Sequence, residues 1–102
     1  MIEALILAAI IGLATAAAVQ IAILTIGFLI DWFRDRSAEV NSDPDKVAVT
    51  VADALDSGNV SYIQGIFDTE QKTFTEARRI KAKDVDSDVR RAHSRHKVAI
   101  WE

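Results

Sequence analysis

The residues best suited to chemistry lie between positions 84 and 96. Asp84, Asp86 and Asp88 alternate as in the first positions of a calcium-binding loop. An EF-hand loop needs glycine at its sixth position and glutamate at its twelfth, where this chain has Val89 and Arg95. Acidic residues in a first helical turn also complement the helix dipole. The spacing therefore predicts a helix start and no calcium site.

Two histidines, His93 and His96, are spaced so that a helix would place them on adjacent turns. A zinc site needs further ligands, and the sequence contains no cysteine and no other histidine. It also lacks the motifs of nucleophile elbows, phosphate-binding loops and dinucleotide-binding turns. The sequence therefore predicts no catalytic residue, no metal site and no cofactor, and it favours a protein that is not an enzyme.

Basic residues form the strongest remaining pattern. Residues 43–70 contain six acids and one base, whereas residues 72–97 contain nine bases and four acids. Seven of these bases are predicted to form a basic surface: Arg78, Arg79, Lys81, Lys83, Arg90, Arg91 and Arg95. Such a surface attracts anionic lipid, nucleic acid or an acidic protein, but aromatic residues are not interleaved with it. A solvated surface with local acid–base pairs explains the same pattern.

The chain that must position these groups begins with a long apolar run. Residues 4–30 contain no charged residue and no histidine, and as a helix they would span about 40 Å. The hydrocarbon core of a bilayer is about 30 Å thick. A signal peptide is disfavoured because Glu3 precedes the run without a base, and because the run continues past the small residues 14–16. The pattern predicts a transmembrane helix with an interfacial extension over residues 1–36.

The residues after this predicted helix indicate its orientation. Arg34 and Arg36 follow the run and no base precedes it. The positive-inside rule then predicts an outside N-terminus and a cytoplasmic C-terminal domain, or a domain inside a virion. Trp32 and Phe33 lie where interfacial aromatic residues are expected. Trp32, Phe33, Arg34 and Arg36 are therefore assigned to the membrane interface.

Small residues recur at every fourth position within the same run. Ala8, Gly12 and Ala16 are followed at this spacing by Gln20. Small residues let helices approach closely, and an amide in lipid seeks a hydrogen-bond partner. The spacing predicts a helix-packing face for another subunit or a second copy, although alanine-rich helices also contain it by chance.

The rest of the chain predicts a small soluble α+β domain. Residues 37–43 are a polar linker, and residues 44–102 form the domain. Its elements follow in the order helix, strand, strand, helix and strand, with a three-stranded, mainly antiparallel sheet. The fold class is therefore one N-terminal transmembrane helix followed by a small α-β-β-α-β domain.

Local signals assign the elements of this domain. Pro44 favours the start of the first helix, and β-branched and aromatic residues make residues 60–67 a strand. Residues 73–82 are predicted as the returning strand, although their composition also suits a helix. Asp84 is the expected N-cap of the second helix. Trp101, on the last strand, is a candidate partner anchor, with folding over the sheet edge as the alternative.

These features together predict a non-enzymatic, single-pass membrane protein that serves as a structural or accessory subunit of a larger assembly. Its expected partners are the lipid bilayer and other subunits or copies of itself. The alternative is a membrane-anchored basic tether for nucleic acid, such as a protein of a membrane-containing virus particle.

Overall fold

A computed structural model of the chain describes residues 2–10, 17–53, 60–93 and 97–101. These residues contain four α-helices and five strands, in the order α1 (Ile2–Ala9), β1 (Ala17–Leu24), α2 (Ile26–Asp35), α3 (Ser37–Ser42), β2 (Lys46–Asp53), β3 (Val60–Asp68), β4 (Thr73–Val85), α4 (Ser87–Ala92) and β5 (Val98–Trp101). The strands form one mixed sheet with the spatial order β1-β4-β3-β2-β5. The β1–β4 pair is parallel and the other pairs are antiparallel.

The apolar run of residues 4–30 is not one helix. Its described residues belong to α1, β1 and α2, and no helix in the described part of the chain is long and apolar enough to cross a membrane. The predicted transmembrane helix is therefore wrong. The predicted membrane localisation, with an outside N-terminus and a cytoplasmic or virion-enclosed domain, is wrong for the same reason. The assignment of Trp32, Phe33, Arg34 and Arg36 to a membrane interface was based on that helix.

Two apolar cores, one on each face of the sheet, explain why the apolar run contains no charged residue. The core of the first face includes Ile6, Val49, Val51, Ile63, Phe67 and Val98. The core of the second face includes Leu24, Leu29, Tyr62, Ile80, Ala82, Val85 and Val89. The elements α1, β1 and α2 each supply a fully buried side chain, from Ile6, Leu24 and Leu29 respectively. The run avoids charge because it is shared between these cores, where an unpaired charge is costly.

The sheet has five strands where three were predicted. One additional strand, β1, comes from the apolar run, and the other, β2, replaces the predicted first helix. In β2, Val47, Val49 and Val51 alternate along the strand and contact the first-face core. A period of two with β-branched residues favours a strand, and it prevails over the helix signal of Pro44.

Four further segments can be compared with the remaining sequence-based expectations. Strand β3 lies where residues 60–67 predicted it, and its residues 61–68 are all buried because it is the central strand. Strand β4 is extended, as preferred for residues 73–82, and continues to Val85. Helix α4 is capped by Asp86 instead of Asp84. Residues 37–43, expected as a linker, contain α3.

Gly65 allows the closest packing within the sheet. It lies on β3 beside a register shift between β3 and β4. A Cβ atom at this position would lie 2.6 Å from Cδ1 of Phe74 and 2.8 Å from the backbone oxygen of Glu76. Only glycine leaves room for the Phe74 ring at this point.

Candidate functional site

One carboxylate fixes the start of α2 to the start of α4. The Asp86 Oδ2 atom accepts a hydrogen bond from the Ile26 backbone N–H at 2.9 Å, and Oδ1 accepts one from the Val89 N–H at 2.9 Å. These bonds, from Val89 first and Ile26 second, lower the pKa of Asp86 below its usual range. The Thr25 hydroxyl caps α2 by accepting from the Phe28 N–H at 3.1 Å.

A buried amide attaches the middle of α2 to the sheet. Gln64 is fully buried; its Nε2 donates to the Leu29 carbonyl at 2.8 Å, and its Oε1 accepts from Arg78 Nε at 2.8 Å. The Arg78 guanidinium lies 4.5 Å from the ring centre of Phe28 and 5.4 Å from that of Trp32. Such cation–π contacts stabilise the positive charge of a guanidinium that lies beneath a helix.

A second arginine, Arg36, contacts Trp32 at the end of α2. The Arg36 guanidinium lies 3.9 Å from the centre of the Trp32 ring and donates to the Trp32 carbonyl at 3.1 Å. Its Nε also donates to Glu76 Oε1 at 3.1 Å. Burial of Arg78, and secondarily the charge of Arg36, lowers the pKa of Arg78. The start, middle and end of α2 are thus each attached to another element.

Helix α3 is held to the sheet by Glu39. This carboxylate accepts from Lys46 Nζ at 3.1 Å and from the Thr75 hydroxyl at 3.0 Å. These hydrogen bonds, with that of Lys46 the larger influence, lower the pKa of Glu39. As a result α2 and α3 lie in fixed positions across the second face of the sheet.

An apolar groove of about 600 Å³ lies between these two helices and the β2–β5 edge of the sheet. Its lining residues are Ile30, Phe33, Arg34, Ser37, Val40, Asn41, Ala48 and Trp101. The volume is within the range of pockets that hold small molecules or large side chains. The small side chain of Ala48 leaves the floor open, while Ile30 remains 40% exposed at the rim. We call this feature the β5 groove.

Trp101 forms one wall of the β5 groove and is held in place from below. Its indole N–H donates to the Thr50 hydroxyl at 2.8 Å, and that hydroxyl lies 2.8 Å from His93 Nε2. The Trp101 ring centre is 6.4 Å from that of Phe33, at an angle of 38°. Two aromatic rings with one fixed in position make a rigid apolar wall, and such a wall suits a binding site.

Strand β5 contributes Trp101 to this groove and forms an edge of the sheet in the described part of the chain. The backbone N–H of Ala52 donates to the Lys97 carbonyl at 2.7 Å. Because bonded pairs alternate along antiparallel strands, Ala99 and Trp101 also direct their backbone groups toward β2. Val98 and Ile100 then direct theirs away from the sheet, where another strand can bind.

Arg34 supplies positive charge at the rim of the β5 groove. Its guanidinium lies 3.5 Å from Asp31, and both side chains are mostly exposed. An exposed ion pair of this kind contributes little to stability, so Arg34 can exchange Asp31 for another anion at small cost.

The structure brings together several residues that the sequence had singled out separately. Phe33, Arg34 and Trp101 line the β5 groove. Trp32 and Arg36 are not among the lining residues, and the Arg36 guanidinium lies against the Trp32 ring at the end of α2. The groove also needs Ile30, Val40 and Ala48, which sequence reasoning missed because no local pattern relates α2, α3 and β2.

The predicted helix-packing residues lie on different elements. Ala8 is exposed on α1 and Gln20 is exposed on β1. Gly12 and Ala16 lie outside the described residues. The four positions therefore cannot be described as the face of one helix.

The predicted basic residues are divided between the two faces of the sheet. Arg78 lies beneath α2, while Arg90 and Arg91 on α4 lie 2.9 Å from Asp84 and 3.8 Å from Asp88. Both pairs are exposed, so they contribute little to stability.

The other basic residues lie on β4 or beyond it. Lys81 and Lys83 are exposed and, with Arg79, occupy positions that alternate with Arg78 along the strand. Arg95, like His96, lies outside the described residues. Within those residues, no group of three or more acidic or histidine side chains is arranged to hold a metal ion.

Comparisons of the chain with protein-family models, curated proteins and solved structures find no match.

Proposed function

We propose that this chain is a non-enzymatic interaction subunit that binds an extended segment of a partner protein along β5. The observation that supports the proposal is an apolar groove lying directly beside an open strand edge. In this mode of recognition the bound segment adds a strand to the sheet, and its alternate side chains enter pockets beside that strand. The proposal retains an accessory role in an assembly and requires no membrane.

The backbone of β5 provides the first part of the recognition. The outward N–H and C=O groups of Val98 and Ile100 pair with the bound segment, which therefore must be extended for at least three residues. Ile100 is 45% exposed beside this edge and becomes covered when a strand is added. Main-chain pairing gives affinity without restricting the partner's sequence.

The β5 groove provides the specificity. A side chain that points toward the second face of the sheet packs against the wall formed by Phe33 and Trp101. Burial of a large aliphatic or aromatic side chain there is worth roughly 1.5–3 kcal/mol. Because Trp101 is already held by Thr50, little side-chain freedom is lost on binding.

Arg34 selects the charge of the partner. Its guanidinium lies at the groove rim and its present ion pair with Asp31 is exposed. An acidic residue two positions from the buried apolar side chain lies on the same face of the added strand. It would therefore be favoured, and a basic residue there would be disfavoured. The occupant is an extended protein segment with a large apolar residue and a nearby acid.

A role in nucleic-acid binding receives less support from the same geometry. Arg78 is held in the layer beneath α2, whereas Arg90 and Arg91 lie on α4 and Lys81 and Lys83 on β4. Binding to polyphosphate depends on many bases acting on one surface.

Peptide binding to the full chain tests the proposal. The probe is a blocked nonapeptide of alternating threonine and leucine in which one leucine is replaced by aspartate, titrated while backbone NMR shifts are followed. The aspartate then lies on the same face of the added strand as the remaining leucines. We expect saturable shifts at residues 98–101 and around the groove. Replacing the aspartate by lysine should weaken binding about tenfold, the effect of one favourable or unfavourable charge contact.

Two further peptides test strand addition itself. Each carries N-methyl groups on alternate amides, and the two sets are offset by one residue. Only the set that faces β5 should abolish binding, because it removes the donors used by Val98 and Ile100. Equal binding by both methylated peptides would exclude strand addition.

A matched pair of protein variants locates the site. Ile30→Asp adds a charge at the rim of the β5 groove, whereas Ile23→Asp adds one to a still more exposed isoleucine on β1, at the opposite edge. Ile30→Asp should weaken peptide binding at least tenfold and Ile23→Asp should not change it. Equal effects of the two variants would contradict the proposed site.

A further inference from the structure

The other edge of the sheet has an unusual composition. Strand β1 extends over eight residues, contains no charged residue and no proline, and has only β4 as a neighbour in the described part of the chain. Ile23 on this strand is 57% exposed. Natural edge strands are usually short, charged, interrupted by proline or covered, because an open apolar edge pairs with other strands.

We infer that β1 binds β1 of a second copy of this chain in antiparallel orientation, so that two five-stranded sheets form one continuous ten-stranded sheet. A two-fold axis between the two β1 strands uses the same surface on both copies and closes the assembly at two. This interface uses the edge opposite to β5 and does not depend on the function proposed for the β5 groove.

The side chains of β1 are suited to pairing with β1 of a second copy. Gln20 lies next to the midpoint of the strand and is exposed. With the axis at Gln20, its amide meets the same amide of the second copy, and each amide can both donate and accept. Ala18 then lies opposite Ala22 of the second copy, and both positions are exposed in one chain.

The alternate residues of β1 support the same register. Val19 lies opposite Ile21 of the second copy, and both are only partly buried in one chain. Cross-strand pairs of β-branched residues stabilise antiparallel sheets. Ile21 contacts the second-face core, so the paired strands extend that core across the axis.

The nearest charges do not oppose this pairing. Lys81 is opposite Gln20 on β4, and with Lys83 it lies one strand away from the edge. The β4 strands of the two copies would be three strand spacings apart, or roughly 14 Å. This distance exceeds the screening length of about 8 Å at physiological ionic strength. Added salt should therefore leave dimerisation unchanged or slightly strengthen it.

Sedimentation velocity of the full chain over a range of concentrations tests the inference, with three double variants at the exposed positions Ala18 and Ala22. Ala18→Lys with Ala22→Lys places like charges opposite each other twice across the axis. Ala18→Glu with Ala22→Glu places acids opposite each other twice across the axis. Within one chain these acids lie beside the bases of the neighbouring β4, which attract them. Ala18→Glu with Ala22→Lys places opposite charges together instead. Circular dichroism and the thermal midpoint show that each variant folds.

The wild type and the Glu/Lys variant should be dimers, whereas each like-charge variant should raise the dissociation constant about thirtyfold because two repulsive cross-strand pairs are introduced. A folded like-charge variant that dimerises as well as the Glu/Lys variant would overturn the interface. Failure of the Glu/Lys variant to dimerise when the wild type does would overturn the register. A wild type that stays monomeric at high micromolar concentration would overturn the pairing.

Discussion

The hydrogen bonds of Gln64 allow a quantitative test of how α2 is attached to the sheet. The variant Gln64→Leu keeps a buried side chain of similar size but removes the bonds to Leu29 and Arg78. A hydrogen bond to a charged group is worth about 1.5–3 kcal/mol and a neutral one about 0.5–1.5 kcal/mol. Part of this loss is offset by the more apolar leucine. We expect a net destabilisation of about 2–3 kcal/mol.

The second half of the cycle removes the arginine. Arg78→Met leaves the buried Gln64 Oε1 atom without its donor, which costs about 1–3 kcal/mol. In the double variant both polar partners are absent, and replacing both by apolar groups is close to neutral. The double variant should therefore be more stable than the sum of the single losses predicts, with a coupling energy of at least about 1.5 kcal/mol, the lower value for a hydrogen bond to a charged group.

Urea denaturation followed by circular dichroism and tryptophan fluorescence measures all four proteins. For a domain of this size, 1 kcal/mol corresponds to roughly 4–8 °C in the thermal midpoint, which gives an independent check. Lys81→Met, on an exposed β4 residue, is the matched control and should show no coupling to Gln64→Leu. A coupling energy for Arg78 below about 0.5 kcal/mol would refute the claim that Gln64 bridges α2 and β4.

Three other variants test different parts of the fold. Gly65→Ala should lower the free energy of unfolding by about 1–3 kcal/mol because the added Cβ has no room. Gly27→Ala, in the open part of α2, should be neutral or stabilising. A larger loss of stability for Gly27→Ala than for Gly65→Ala in urea titrations would contradict the packing. Asp86 has a lower pKa in the folded chain, so its contribution is present above the unfolded value of about 3.9 and is lost as the pH falls through the folded value. The wild type should therefore lose more thermal stability below about pH 4 than Asp86→Asn does, and parallel curves would contradict this. Val98→Asp should unfold the chain by burying an unpaired charge, whereas Ile100→Asp on the same strand should fold; equal circular dichroism spectra would place Val98 outside the core.

Sequence reasoning succeeded where the signal was local and failed where it depended on the sheet. Strand β3 is recognisable from its β-branched and aromatic residues, and residues 73–82 were expected to be extended because β3 needs a partner. The apolar run satisfied the length of a membrane helix, and nothing adjacent in sequence shows that a five-stranded sheet needs covering on both faces. Thr25 was the available warning, because it can cap a helix that starts inside the run.

The groove was only partly accessible from sequence for the same reason. Phe33, Arg34 and Trp101 attract attention as an aromatic, a base and a tryptophan near the last strand. Val40 and Ala48 carry no local signal, and they become lining residues only because α3 lies over β2. Residue types indicated which side chains could contact a partner, whereas the tertiary arrangement decides which of them act together.

The parallel pairing of β1 with β4 has a consequence for the time course of folding. Residues 17–24 are synthesised before their partner strand, residues 73–85, so this pairing must wait until the intervening residues and β4 have been made. The antiparallel neighbours β2, β3 and β4 are closer in sequence and can associate first, since short loops close at lower entropic cost. An uncharged strand therefore remains without its native neighbour through the early steps of folding. In a cell, chaperones can therefore bind β1 from the time it is synthesised until β4 is complete.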